Sequence, residues 1–337
     1  MPEPFLQLSR GDRADALAVA AAELGRPAGL LEKDLWVVWT LGALFRQEFG
    51  TALTFKGGTS LSKVFRVIDR FSEDVDLTCD IRTLLPELAG EPGDPIPGTR
   101  SAAERLTSRA RDALRRWVGE AAGPALQTAA LDEGVEGITV EIQSTNLVLS
   151  YPVSADLPSA YVAPRVLVEF GGRSSGEPAS LHGVECDAEV VLKDLSFPRA
   201  TPRVMEAERT FWEKATAAHV FCLQENLRGE RFSRHWYDLV RLHQHEVAER
   251  ALADRDLARR VAEHKSMFFR EKSSAGLLVD YLAAVDGALS LVPEGAGRRL
   301  LAEDYEKMSG SGLLPADAPS FDQVMAECAE IEDRANA

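Results

Sequence analysis

The sequence predicts an α/β fold of the α+β kind, with strands confined to its N-terminal part and helices filling its C-terminal part. Three observations predict it. Period-two runs rich in Val, Ile and Leu, with Pro and Gly around them, lie between Gly137 and Val191. A Gly57-Gly58 turn stands between a short apolar strand and a helix start. After Phe197-Pro198 and Thr201-Pro202 the pattern is helical almost to the end. The shift near residue 200 suggests an α/β domain over 1–200 and a helical domain over 201–337.

Taken in order, residues 11–25 and 31–48 read as amphipathic helices, with Leu17, Val19, Leu24, Leu30, Leu31, Leu35, Val38, Leu41 and Leu44 as their apolar stripes. Ala52–Phe55 is a strand, and a helix follows from Ser60 to about Arg70. Glu73–Cys79 is the next strand. Glu91–Thr99, rich in Pro and Gly, is a loop, and 101–121 returns to helix. Ile138–Tyr151, Arg165–Phe170 and Val184–Val191 complete the strands. There is no internal repeat and no low-complexity segment.

The 337 residues, 45% hydrophobic and 27% charged, suit a soluble globular protein of one large or two ordinary domains. Apolar runs such as Leu35–Leu44 are broken well before a bilayer could be spanned, so no membrane is expected. Met1-Pro2-Glu3-Pro4 has neither the basic start nor the apolar core of a signal peptide. Cys79, Cys186, Cys222 and Cys328 are scattered singly, which predicts a reduced, cytoplasmic protein. A net charge of −15, from 38 basic and 53 acidic residues, argues against broad non-specific nucleic-acid binding. It leaves room for a local basic groove. Arg105, Arg109, Arg115 and Arg116 read as a solvated helix face, whereas Arg228, Arg231, Arg234 and Arg241 divide evenly between that reading and an RNA contact.

The chemistry concentrates in Phe55-Lys56-Gly57-Gly58-Thr59-Ser60 and Ser72-Glu73-Asp74-Val75-Asp76-Leu77. Strand side chains alternate, so Asp74 and Asp76 share one face while Val75 and Leu77 face a core. Two carboxylates aimed at one point suit a hard divalent cation, Mg²⁺ or Mn²⁺. The cation also answers their mutual repulsion. A Gly-Gly-Thr-Ser turn opening a helix offers N–H groups to phosphate. A third acid is sought in Val166-Leu167-Val168-Glu169-Phe170, with Glu141 in a similar setting. Glu169 is preferred because the following Gly171-Gly172 suggests a close approach. On pattern alone Lys214 is a solvated helical lysine and Asp238 a polar residue on an aromatic-rich helix. His243 and His245 have no companions at zinc spacing and read as surface residues. P-loop, nucleophile-elbow, kinase-loop and dinucleotide signatures are all missing.

Together these residues resemble the AbiEii/AbiGii toxin family of nucleotidyltransferases, related to the MenT tRNA-modifying toxins. The likeness lies in Lys56-Gly57-Gly58-Thr59-Ser60-Leu61-Ser62-Lys63 through Arg70-Phe71-Ser72-Glu73-Asp74-Val75-Asp76-Leu77. Phe211-Trp212-Glu213-Lys214 and Ser233-Arg234-His235-Trp236-Tyr237-Asp238-Leu239 are similar to the motifs bearing the family's essential lysine and aspartate. Lys265–Phe269, Asp304–Met308 and Pro319–Asp322 extend the likeness to roughly residues 30–335. The resemblance implies a polymerase-β-like nucleotidyltransferase core with a mixed sheet and a C-terminal helical domain. It implies Mg²⁺ on Asp74 and Asp76, with Glu169 as third ligand or base. Gly57, Gly58, Thr59, Ser60 and Lys63 would hold the phosphates of an NTP, with Lys214 as a point charge on the triphosphate. Asp238 would orient the nucleotide or that lysine. The acceptor so implied is tRNA, at its 3′ end, and the partner an antitoxin protein or gene. Rival readings are transfer to a small molecule or protein hydroxyl, and a silent binding module of a toxin–antitoxin complex.

Overall fold

A computed structural model describes residues 2–72, 74–89, 93–155, 163–226, 231–311, 313–315 and 317–337. The chain folds as two compact units. The first comprises Met1–Val64, Ser72–Gly93 and Ser108–Val204, the second Phe65–Phe71, Asp94–Thr107 and Met205–Ala337.

The first unit is built on a seven-stranded mixed sheet. Its strands, in chain order, are β1 (Leu53–Lys56), β2 (Val75–Cys79), β3 (Thr139–Gln143), β4 (Asn146–Ser150), β5 (Arg165–Gly171), β6 (Ala179–Leu181) and β7 (Arg203–Met205). They lie in the order β3-β4-β5-β2-β1-β7-β6. β2 runs antiparallel to β1 and parallel to β5, which puts the carboxylate strand in the interior of the sheet. Val75, Leu77, Val166 and Val168 are fully buried, as a strand covered on its apolar face requires.

Helices α1 (Arg10–Leu24) and α2 (Ala28–Phe45) precede the sheet. Ser9 caps α1 by accepting from the Asp12 N–H, and left-handed Gly25 ends it. Val19, expected on the apolar stripe, is 54% exposed, while Leu17 alone among its neighbours of that size is enclosed. α2 is enclosed over most of its length, with Leu31, Leu35, Trp36, Val38 and Leu41 at the centre of the core. Buried polar groups must find partners. Glu32 accepts the Ser154 and Ala155 N–H groups, and Lys33 donates to the Ala163 carbonyl at 3.0 Å.

Three expected elements differ. The helix opening at Gly57 (α3, Gly57–Lys63) stops short of Arg70, because Arg66 takes a left-handed φ of 53° and Val67 and Ile68 bury as part of the second unit. The expected strand Ile138–Tyr151 is the hairpin β3–β4, since unbroken alternation hides the tight turn at Ser144 (φ 61°). Strand Val184–Val191 shrinks to Val184–Glu185, and a single 3₁₀ turn, Asp187–Val190, follows.

The second unit is helical. α6 (Ala207–Gln224) packs against α7 (Arg234–Gln244), counting α4 as Arg100–Trp117 and α5 as Gly123–Glu133. Phe211, Trp212, Ala215 and Ala218 from α6, and Trp236, Leu239 and Leu242 from α7, are wholly enclosed. The Trp212 and Trp236 indole N–H groups donate to the carbonyls of Ala251 and Leu291. The last helix, Phe321–Asn336, starts with a capping box between Ser320 and Gln323.

Candidate active site

In the first unit, antiparallel pairing sets Lys56 opposite Asp76 and Phe55 opposite Leu77, so the chain leaves β1 for the glycine turn beside the carboxylate strand. Gly57 has a φ of +83°, and a Cβ built on it would collide with the Asp76 carboxylate. Only glycine meets both conditions. The Thr59 hydroxyl donates to the Asp74 carbonyl at 2.5 Å and lies 2.9 Å from the Ser72 hydroxyl. The Ser60 hydroxyl donates to the Gly57 carbonyl at 2.9 Å. These two side chains, expected on phosphate, are therefore engaged in tying the turn to itself and to the segment bearing Asp74. Asp74 and Asp76 are partly exposed, while Val75 and Leu77 between and after them are buried.

Parallel pairing of β2 with β5 places Asp76 in register with Glu169. In-register residues of neighbouring strands project to the same face, so Glu169 stands beside Asp76. Glu141 is on the edge strand β3, two strands further out. The close approach expected after Glu169 is to the protein's own core: a Cβ on Gly172 would meet Leu84 at 2.6 Å and Leu114 at 3.3 Å.

Lys63, at the end of α3, is placed in a structural ion pair. Its ammonium lies 2.5 Å from Asp34 and 2.7 Å from Asp187. Burial opposes its charge, but the two carboxylates overcome this and raise its pKa. Asp34 also accepts the Asp187 N–H at 2.7 Å, so α2, α3 and the turn at Asp187 are pinned together.

The second unit holds a different cluster. Asp238, fully buried on α7, accepts from Arg70 Nε at 2.6 Å and Nη2 at 2.7 Å, and from Lys214 Nζ at 2.8 Å. Burial alone would raise the Asp238 carboxyl, but Arg70 and Lys214 hold it well below the usual carboxylate range. For Lys214 burial prevails, aided by Arg70 and Arg234, and its pKa falls despite Asp238. His235, one helical turn before Asp238, is pushed well below its ordinary value by burial and by Lys214 and Arg234. It is a neutral imidazole at pH 7.

A model of the nucleotidyl transferase AbiEii toxin family, type IV toxin–antitoxin system, matches residues 39–327. The chain belongs to the AbiEii family. It is a nucleotidyltransferase toxin of the type IV toxin–antitoxin class. Among solved structures it matches MenT4, a nucleotidyltransferase toxin from Mycobacterium tuberculosis H37Rv, at 19% identity and a TM-score of 0.42, over 97% of this chain and 98% of that one. No curated protein matches it.

In this AbiEii protein the four arginines expected on RNA are unlike one another. Arg228 lies outside the described residues. The Arg231 N–H donates to Asp304 at 2.8 Å, as does the Ser233 N–H, which fixes the approach to α7. Arg234 is exposed in the first turn of α7. Arg241 pairs with Asp69 at 2.7 Å. Among the described residues no three His, Cys, Asp or Glu side chains already converge as a metal cage. An all-carboxylate set with Asp76 and Glu169 in register nevertheless fits Mg²⁺, which is held by few carboxylates and takes water and phosphate oxygens for the rest. No helix among the described residues is long and apolar enough to cross a membrane.

Two residues of evident consequence escaped the sequence reading. Arg70 stands just before the acidic strand, yet nothing in its spacing announces a partner 168 positions away. Asp304 likewise reads as one more helical acid until its two N–H donors are seen.

Proposed function

We propose that this AbiEii toxin transfers a nucleoside monophosphate from an NTP to an RNA acceptor, the 3′ end of a tRNA, and so blocks translation in the cytoplasm. The observation that carries this reading is the Asp76 carboxylate, held against the Gly57 turn and in register with Glu169. Donor chemistry needs phosphate donors next to metal-binding oxygens, and one strand pair supplies both.

In the transfer, an acceptor hydroxyl oxygen bonds to the α-phosphorus while the bond from that phosphorus to the pyrophosphate oxygen breaks. Pyrophosphate leaves with the electron pair. Asp74 and Asp76, with Glu169, would hold Mg²⁺ or Mn²⁺, which when bound neutralises charge on the triphosphate and the leaving group. Glu169 is otherwise the base that takes the hydroxyl proton. N–H groups of the Gly57–Ser60 turn support the phosphates. Lys214, paired with Asp238, is assigned as the point charge for the triphosphate. Arg231, Arg234 and Arg241 are assigned to the RNA backbone, with exposed Arg234 the strongest of them. Positioning and electrostatics supply most of the rate, as in other phosphoryl-type transfers.

The test is incubation of the purified chain with each labelled NTP, Mg²⁺ and total tRNA. Label on tRNA is expected, at its 3′ end. Label on protein or a small solute, or none with any of the four nucleotides, overturns the assignment of acceptor.

A further inference from the structure

We propose that Arg70 is a positioning residue of the transfer reaction, one that fixes the Asp238 carboxylate from one side so that Lys214 is presented from the other. The inference rests on the reading of Lys214 as the charge that meets the triphosphate.

The geometry is specific. Arg70 makes a two-pronged contact, Nε to Oδ1 at 2.6 Å and Nη2 to Oδ2 at 2.7 Å. A guanidinium fork of this kind fixes a carboxylate in plane as well as in place. Lys214 then takes the same Oδ2 at 2.8 Å. All three side chains are less than a tenth exposed, so solvent does little to relax the arrangement. Arg70 also donates Nη1 to the Phe71 carbonyl at 3.3 Å, which anchors the segment immediately before Ser72 and the acidic motif. No substrate contact is needed for this role. Arg70 acts through Asp238.

The experiment compares full-length wild type with R70M and R70K. Label transfer from NTP gives kcat and KM, and circular dichroism reports folding. Separately, the reactivity of the Lys214 amine toward acetic anhydride is followed peptide by peptide against pH, with no substrate present. The groups facing that amine are Asp238 and His235 on α7, Arg234, and Arg70. In folded R70M, kcat is expected to fall about 100-fold, the order of loss for a misplaced positioning contact. R70K, which keeps the charge but not the fork, is expected to recover about tenfold of this. Without the guanidinium, Lys214 is expected to keep its proton to higher pH in R70M, and R70K, which leaves a cation in place, to show less of that change. A folded R70M with kcat within about twofold of wild type overturns the proposal. So does an unmoved Lys214 titration. Should R70M not fold, R70K decides, since a wild-type kcat there shows the fork to be dispensable. If wild type itself transfers no label, the nucleotidyl acceptor reading fails, and the Lys214 titration still decides the part played by Arg70.

Discussion

The carboxylate strand of the first unit and the Arg70–Asp238–Lys214 cluster of the second solve opposite electrostatic problems. Asp74 and Asp76 carry like charges, remain partly exposed, and are placed by backbone: strand register and a glycine turn determine where they stand. The divalent cation proposed for them would relieve their repulsion. The second cluster is buried and carries opposite charges that hold one another. What the difference teaches is where mutational damage will be felt. A side chain positioned by the sheet can be changed with the fold intact, whereas one positioned by its own ion pairs cannot.

The strongest way to break this comparison is Asp238→Ala. It leaves two buried cations without their carboxylate, and loss of one partner of a buried pair costs about 3–5 kcal/mol. Urea unfolding should register that loss, and an unchanged midpoint would mean that Arg70 and Lys214 escape to water. Next in size is Gly57→Ala. A φ of +83° and the collision with Asp76 both oppose a side chain there, and strained backbone of this kind costs about 1–3 kcal/mol. The same denaturant series measures it, together with a drop in label transfer as Asp76 is pushed aside.

A smaller effect follows pH. His235 has a folded pKa depressed well below the ordinary value of 6.5, so the unfolded chain binds a proton that the native one refuses. Stability is then full above pH 6.5 and declines as pH falls below it, by up to about 1.4 kcal/mol per pH unit. His219, also lowered by burial, adds in the same direction. Asp238 acts lower down. Its folded pKa is depressed from 3.8, so its contribution is intact above that value and is lost beneath it, amounting to about 1 kcal/mol by pH 3. Unfolding midpoints measured from pH 7 to 5 should therefore slope less in His235→Gln than in wild type. Equal slopes would show that His235 charges freely in the native chain.

The same contrast explains what could be read from the sequence. The glycine turn and the two acids are local, and the period-two pattern with buried Val75 and Leu77 points them to one face. The strands and most helices were legible because burial imposes a period. Helix α3 ends before the sequence pattern does, since Val64, Val67 and Ile68 keep an apolar rhythm that the left-handed Arg66 interrupts. The hairpin at Ser144 looks like one strand in the sequence for a related reason: alternation persists through a tight turn. Ion pairs have no period at all. Lys63 with Asp34 and Asp187, and Arg70 with Asp238, join residues far apart in sequence, so their partners could not be inferred from spacing. Nor could composition signal that Phe65–Phe71 and Asp94–Thr107 pack with the C-terminal helices.

The smallest expected change in stability sharpens the comparison most. Asp76→Asn keeps the size and strand register of the native residue and removes one of two like charges. With no ion pair to lose among the described residues, the folded chain should shift by no more than about 0.5 kcal/mol. Relief of repulsion from Asp74 and Glu169 makes a slight gain the expected sign. Label transfer should fall by about a thousandfold, roughly 4 kcal/mol of transition-state stabilisation, because an amide binds a hard cation far less well than a carboxylate. A strand acid that can be neutralised with the fold unharmed and the reaction lost is being kept for its chemistry. Parallel unfolding curves and transfer assays on Asp76→Asn and Asp238→Asn would separate the two regions directly. If Asp76→Asn destabilised the chain as much as Asp238→Asn did, the carboxylate strand too would be held by its charges, and the case for an open metal site on it would be lost.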